Sequence, residues 1–268
     1  MYTKDIDTST IEDKEIENIM YQSLNNREFI FYLQPKHNLN SLEISGAEAL
    51  VRWLHPTKGI LSPYEFIPLF ERNGFIINLD IFIFEEVCKK IFEWEVNGVP
   101  LVPISVNISR LHLKNPNFID EYRRIINIYK TPPSLIEIEI TESAVFDNMD
   151  ILLSIMKEFK LIGFKISMDD FGTGYSSLNM LREIPVDVLK LDRDFLSGGH
   201  LLERTRIVIQ GVMWIAKKLD IVVVSEGVET KEQVEFLKEI GCPMAQGYYF
   251  NKPMPVHEFE EKLLNYIP

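Results

Sequence analysis

Short apolar runs recur along the chain, and most are followed by a segment whose apolar residues repeat every three or four positions. The runs that read as strands are FIFYLQP (29–35), EISGAEALVRW (43–53), VPISVNIS (102–109), LIEIEIT (135–141), FKISMDD (164–170), VDVLKLD (186–192), IVVVSE (221–226) and AQGYYF (245–250). The segments between them read as helices. NMDILLSIMKEFKLIG carries the helical period and stops at Gly163, a C-cap by residue type. TKEQVEFLKEIG opens with Thr230 three residues before Gln233, the capping-box spacing, and closes at Gly241. Strands alternating with helices imply a mainly parallel sheet covered by helices, and eight such units within 268 residues favour closure. The expected fold is an α/β, TIM-like (β/α)8 barrel with room for one antiparallel strand.

The first two dozen residues differ. Ile16, Ile19, Met20 and Leu24 form a narrow helical stripe in a highly charged segment, which predicts an N-terminal helical lead-in over residues 1–26 ahead of a barrel domain over 27–268. The lead-in either joins an upstream sensory or regulatory domain of a longer parent or covers the bottom of the barrel.

Barrel strands send alternate residues inward, which makes LIEIEIT informative: Ile136, Ile138 and Ile140 share one side, Glu137 and Glu139 the other. An inward carboxylate is disfavoured or protonated without a cation or hydrogen-bond donors, so a positive group is expected beside these two. Polar residues also stand near the C-terminal end of strand after strand: Glu48, Asn107, Glu139, Asp169 with Asp170, Lys190 and Glu226. Barrel active sites lie at that end, where side chains far apart in sequence converge. Two carboxylates ~4 Å apart repel by about 4 kcal/mol at an effective dielectric of ~20, so five acids together call for metal.

Every candidate donor is oxygen, with no thiolate or nearby His pair, which points to Mg2+ or Mn2+ rather than zinc. Asp169 and Asp170 can serve two ions if one carboxylate bridges them, an arrangement suited to phosphodiester hydrolysis. Lys190 has two readings: an ion pair with Asp192 or Asp170, or an ammonium that orients water or stabilises phosphoryl charge.

The 40 acidic residues outnumber the 28 basic ones by 12, so the average surface field repels nucleic-acid polymers and anionic membranes. A phosphorylated substrate then needs local cations, which bound metal supplies. Cys88 and Cys242 show neither CxxC spacing nor a Cys/His zinc pattern and are expected to be reduced core thiols. No apolar run approaches the roughly 18 residues of a spanning helix. The opening MYTKDIDTST is too polar for a signal peptide, so a cytoplasmic location without membrane insertion is expected.

SMDDFGTGYSSL (167–178) sets Gly172-Thr173-Gly174 after a strand, as a dinucleotide-binding turn does. The sixth position of that fingerprint is Ser177 where Gly or Ala is required, and the two aspartates would repel a pyrophosphate. What stands is a metal-binding strand end followed by a turn in which Gly172 and Gly174 permit unusual backbone angles.

Together these segments resemble the EAL-domain phosphodiesterases that hydrolyse cyclic di-GMP. The resemblance runs from about Arg27 to Leu264 and includes Glu48-Ala49-Leu50 inside EALVRWLHP, then SVNIS, EITES, DDFGTGYSSL, DVLKLD, SEGVET and QGYYFNKP in the family's order. It implies that Glu48, Asn107, Glu139 and Asp169 hold one ion and that Asp169, Asp170 and Glu226 serve a second, with Asp169 bridging. Lys190, Glu226 and Asp170 form the implied catalytic set: Lys190 contacts the attacking water or phosphate, and Glu226 is a ligand first and a candidate base second. Gln34, Leu50, Arg52 and Gln246 match substrate-binding positions; the rival reading of Arg52 is a rim salt bridge. Glu142 matches a glutamate that steadies the DDFGTG loop, and Glu229 a residue that supports the site from behind. Ser225 departs from the family's usual small apolar residue, but no implied ligand is missing.

The implied activity is a Mg2+- or Mn2+-dependent phosphodiesterase that opens cyclic di-GMP to linear pGpG by attack of metal-activated water, lowering a bacterial second-messenger signal. Two ions are expected, and Ca2+ is expected to inhibit because its looser, longer coordination fits a compact site badly. The alternative is a cyclic di-GMP receptor with weak or absent hydrolysis. A purely structural barrel fares worse, since Lys190 alone cannot balance five acids. The resemblance also implies a homodimer, with SSLNMLREI (176–184) as part of its surface, against ordinary barrel packing of the same residues.

Overall fold

The structure, a computed structural model, describes residues 3–115, 118–144, 148–172, 178–196 and 203–265. Its strands are β1 (Phe29–Asn38), β2 (Ile44–His55), β3 (Gly59–Leu61), β4 (Ile104–Asn107), β5 (Ile136–Thr141), β6 (Lys165–Phe171), β7 (Val188–Leu191), β8 (Val222–Ser225), β9 (Met244–Ala245) and β10 (Met254–Pro255). Eight of them close a ring in the order β1-β9-β8-β7-β6-β5-β4-β2, with β2 returning to β1. β1 runs antiparallel to both of its ring neighbours, while the other ring pairings are parallel. This is the expected TIM-like barrel with one antiparallel strand. β3 and β10 extend β2 and β1 outside the ring and were not apparent in the sequence.

The helices around the ring are α2 (Pro63–Asn73), α3 (Ile76–Asn97), α4 (Phe118–Tyr129), α5 (Met149–Ile162), α6 (Leu178–Glu183), α7 (Glu203–Lys218), α8 (Lys231–Glu239) and α9 (Val256–Asn265). Their ends follow the local chemistry. The Asn148 side chain accepts from the Ile151 N–H at the start of α5, and Gly163 ends it at φ +103°. Thr230 and Gln233 form the reciprocal capping box of α8. Ahead of the ring, α1 (Thr3–Asn25) buries Ile16 and Met20, and its Tyr21 ring meets Phe75 edge-on at 4.9 Å. Asp13 pairs with Arg72 at 2.7 Å, tying α1 to the end of α2.

The core lies in two shells. Ile136, Ile138 and Ile140 of β5 point outward into the layer between strands and helices, with Met156 and Phe159 of α5 buried in the same core. The inside of the ring carries polar groups. Cys88 and Cys242 are free and buried. Among the described residues no helix is long and apolar enough to cross a membrane.

The last expected strand needs correction: AQGYYF (245–250) contributes only Ala245 to β9, and the rest turns. Phe250 and Asn251 both donate backbone N–H groups to the Gly247 carbonyl, at 3.1 and 3.0 Å. Gly247 allows this by lying against the Val228 backbone, where an added Cβ would come within 2.2 Å of the Val228 oxygen.

Candidate active site

Strand alternation carries Glu137 and Glu139 into the barrel, where both are buried. The positive group that the sequence requires there is present twice. Lys36 of β1 reaches across the interior with Nζ 2.9 Å from Glu137 Oε1 and 2.9 Å from Glu139 Oε1. Lys190 of β7 places Nζ 2.7 Å from Glu139 Oε2, 2.8 Å from Glu226 Oε1, 3.0 Å from Asp169 Oδ1 and 3.3 Å from Glu48 Oε2. Its partners are thus the site acids, not Asp192, whose side chain accepts from the Asp194 N–H at 2.8 Å.

Ideal alternation would send Asp169 and Asp170 to opposite faces. The pairing of β6 with β7 shifts register between Met168 and Phe171, and Asp170 takes φ +56°. That bulge re-aims the second carboxylate toward the mouth. One carboxylate oxygen from each of Glu48, Glu139 and Asp169 lies within 4.8 Å of the others, and Asp169, Asp170 and Glu226 form a second such trio. The two trios share Asp169. Asn107 joins them by donating from Nδ2 to Glu48 Oε1 at 3.1 Å.

The electrostatics show a surplus of negative charge. Burial pushes Glu139 up, but the Lys190 and Lys36 ammoniums outweigh it and hold the carboxyl at about 2. Burial and the neighbouring Asp169 push Glu226 up to about 8, with Lys190 offsetting only part. Burial, then the Asp169 charge, raises Asp170 to about 6. Glu48 is also raised, by burial and by Glu139. Burial lowers Lys190, yet Asp169, Glu139 and Glu226 together raise it. An all-oxygen donor set in which three acids are held above their ordinary range fits hard divalent cations well.

Gln246 donates from Nε2 to Glu48 Oε2 at 2.7 Å and to Gln34 Oε1 at 3.1 Å, and Gln34 donates to the Asn251 carbonyl at 3.2 Å. Both glutamines therefore border the acid cluster. Leu50 and Asn107 line a cavity of about 260 Å³ with Ile67, Ile76, Leu79 and Asp80. Arg52 forms no ion pair among the described residues. Its guanidinium donates to the Val51 carbonyl at 2.7 Å and lies 5.2 Å from the Tyr32 ring centroid.

Glu142 is buried, its N–H donates to the Asp169 carbonyl, and its Oε2 accepts from the Gly172 N–H at 3.0 Å. Gly172 sits at φ +103°, with Phe195 where a Cβ would project. Glu229 is exposed, and its N–H donates to Gln233 Oε1 at 2.7 Å. Residues 173–177, which carry the rest of the glycine-rich turn and the start of the expected dimer surface, lie outside the described residues.

Sequence reading missed Lys36. LQPK shows that Lys36 shares the parity of Gln34 on β1, which marks it as inward but does not name its partners.

Fold and cluster together define a TIM-like barrel with an acidic, oxygen-only cluster at its mouth that could hold metal. The chain belongs to the EAL-domain family, whose model matches residues 17–253. It is 36% identical over 255 residues to the cyclic di-GMP phosphodiesterase NbdA of Pseudomonas aeruginosa, covering 95% of this chain and 33% of that one. It is 30% identical over 267 residues to the cyclic di-GMP phosphodiesterase PdeR of Escherichia coli, covering 100% of this chain and 40% of PdeR. Among solved structures, the PaMucR phosphodiesterase in complex with c-di-GMP superposes with a TM-score of 0.85 at 33% identity, covering 91% of this chain and 99% of that one. The chain spans about a third of the length of the curated relatives it matches.

Proposed function

We infer that the protein is a phosphodiesterase that hydrolyses cyclic di-GMP to linear pGpG with the help of two Mg2+ or Mn2+ ions. The observation that carries this reading is the pair of carboxylate trios sharing Asp169 in one barrel mouth. The names of NbdA, PdeR and PaMucR supply the substrate. When bound, such ions polarise water and offset charge on the phosphoryl oxygens.

Glu48, Asn107, Glu139 and Asp169 would hold one ion, and Asp169, Asp170 and Glu226 the second. The Lys190 ammonium, already among four carboxylates, is placed to orient the attacking water or to stabilise phosphoryl charge. Gln34 and Gln246 orient the substrate beside Glu48, Leu50 offers an apolar contact, and Arg52 holds a phosphate at the rim. Glu142 secures the strand end through Gly172. We place Glu229 on the loop that leads from Glu226 into α8. A cytoplasmic homodimer, in a longer parent with a regulatory domain, fits the same reading; light scattering with and without ligand tests the dimer.

The deciding experiment incubates purified protein with cyclic di-GMP and Mg2+, Mn2+ or Ca2+ and resolves the products by chromatography. Formation of pGpG with Mg2+ or Mn2+, little with Ca2+, and at least a hundredfold loss in Asp169→Ala are expected. Tight binding without pGpG would instead identify a receptor, and substantial turnover by Asp169→Ala would sink the ligand assignment.

A further inference from the structure

Beneath the acid cluster lies a second polar layer whose geometry divides the work of one carboxylate. Glu139 presents Oε2 to Lys190, whose ammonium also meets Glu48, Asp169 and Glu226, and Oε1 to Lys36 at 2.9 Å. Lys36 is itself 2% exposed and is fixed from the other side by Glu137 at 2.9 Å. Its cross-strand partner on β2 is Gly46, where an added Cβ would stand in ordinary contact 4.0 Å from Lys36 Cδ and only 3.0 Å from the Pro103 carbonyl oxygen. The lysine comes from the one antiparallel strand of the ring. Along β1, Gln34 is level with the ligand Glu48, and Lys36 is level with Gly46, one inward position deeper.

We propose that Lys36 is a positioning residue for the metal site: by holding Glu139 Oε1 from below, it presents Oε2 alone as the ligand atom. The inference rests on the metal reading given above. A carboxylate with both oxygens free can rotate or chelate through both, whereas one oxygen fixed by an ammonium leaves a single donor in one direction. Glu137 is a second counter-charge on Lys36, which Glu139 retains at the same 2.9 Å distance, and among the described residues it makes no ion pair with the ligand trio.

The test is calorimetric titration of EDTA-stripped protein with Mn2+, without substrate. Removing Lys36 alone would leave buried Glu137 without a cation among the described residues and Glu139 with Lys190 alone, so the informative variants are Glu137→Gln and the double variant Lys36→Met/Glu137→Gln. The double variant removes one charge of each sign and leaves the net charge of the interior unchanged. Glu137→Gln, which keeps Lys36 on Glu139, should bind Mn2+ within about twofold of wild type, whereas the double variant should bind it at least about tenfold more weakly. A merely structural lysine would lower Tm and leave the affinity of the folded double variant within twofold, which overturns the proposal. A tenfold loss in Glu137→Gln also overturns it, and that arm decides even where the double variant does not fold. Wild-type protein that binds no Mn2+ would sink the metal reading itself, and the role of Lys36 with it.

Discussion

Asp170 occupies backbone space that side-chained residues rarely adopt, at φ +56°, and Gly172 follows at φ +103°. The pair of angles is what lets adjacent aspartates face one cluster. A methyl group at Gly172 would project within 2.0 Å of the Phe195 ring and would strain the same turn. Gly172→Ala is therefore expected to lose about 1–3 kcal/mol of stability. Turnover should fall with it, because Asp170 shares the distorted segment. Urea unfolding and a product assay check both, and a variant with wild-type values in each would remove the strain argument. Glu142 acts on the same turn through the Gly172 N–H. Glu142→Ala is expected to raise the Mn2+ concentration needed for half-maximal turnover by about tenfold. Unchanged metal dependence, substrate affinity and turnover would leave the glycines with no role beyond a turn.

At the scale of elements, α8 follows the loop that carries Glu226, and its reciprocal cap is formed by Thr230 and Gln233, whose Oε1 also accepts from the Glu229 N–H. Thr230→Ala should cost about 1 kcal/mol by chemical denaturation while turnover of the folded protein stays near wild type. A large loss of turnover at unchanged stability would show that the cap positions Glu226. The start of this helix was legible in the sequence because capping is a local interaction with a fixed spacing. The inward face of β5 was legible for a similar reason, since Glu137 and Glu139 alternate with isoleucines. Lys36 was not, because its partners lie 101 and 103 residues away on β5 and strand order is needed to bring them together. The aromatic run 248–250 reads as strand by propensity, yet contact between Gly247 and Val228 turns it, and tertiary packing overrides propensity there. The register shift at Asp170 was equally hidden. SMDD shows two acids, while their common direction depends on how β6 meets β7.

For the whole molecule, an excess of 12 acidic residues coexists with a barrel interior in which six carboxylates meet two ammoniums. The consequence is a specific pH dependence of the metal-free protein. Glu226 rises from 4.5 to about 8 and Asp170 from 3.8 to about 6 on folding, so the native state binds more protons than the unfolded chain between those limits. Stability must then fall as pH rises from about 4 to about 8, since its slope follows the protons bound in the unfolded state minus those bound in the native state. Glu139, lowered to about 2, acts in the opposite sense only below its ordinary value of 4.5, and His55, which burial lowers from 6.5, opposes the two acids over part of the window as one group against two. Divalent cations compete with those protons. At 100 times its dissociation constant, a single bound ion adds about 2.7 kcal/mol. Thermal unfolding in EDTA should therefore show Tm declining across pH 5–8, and saturating Mn2+ should raise Tm most at the alkaline end. A Mn2+ effect equal at all pH values would mean that ions and protons do not share the same carboxylates, and the cluster at the barrel mouth would not be the metal site.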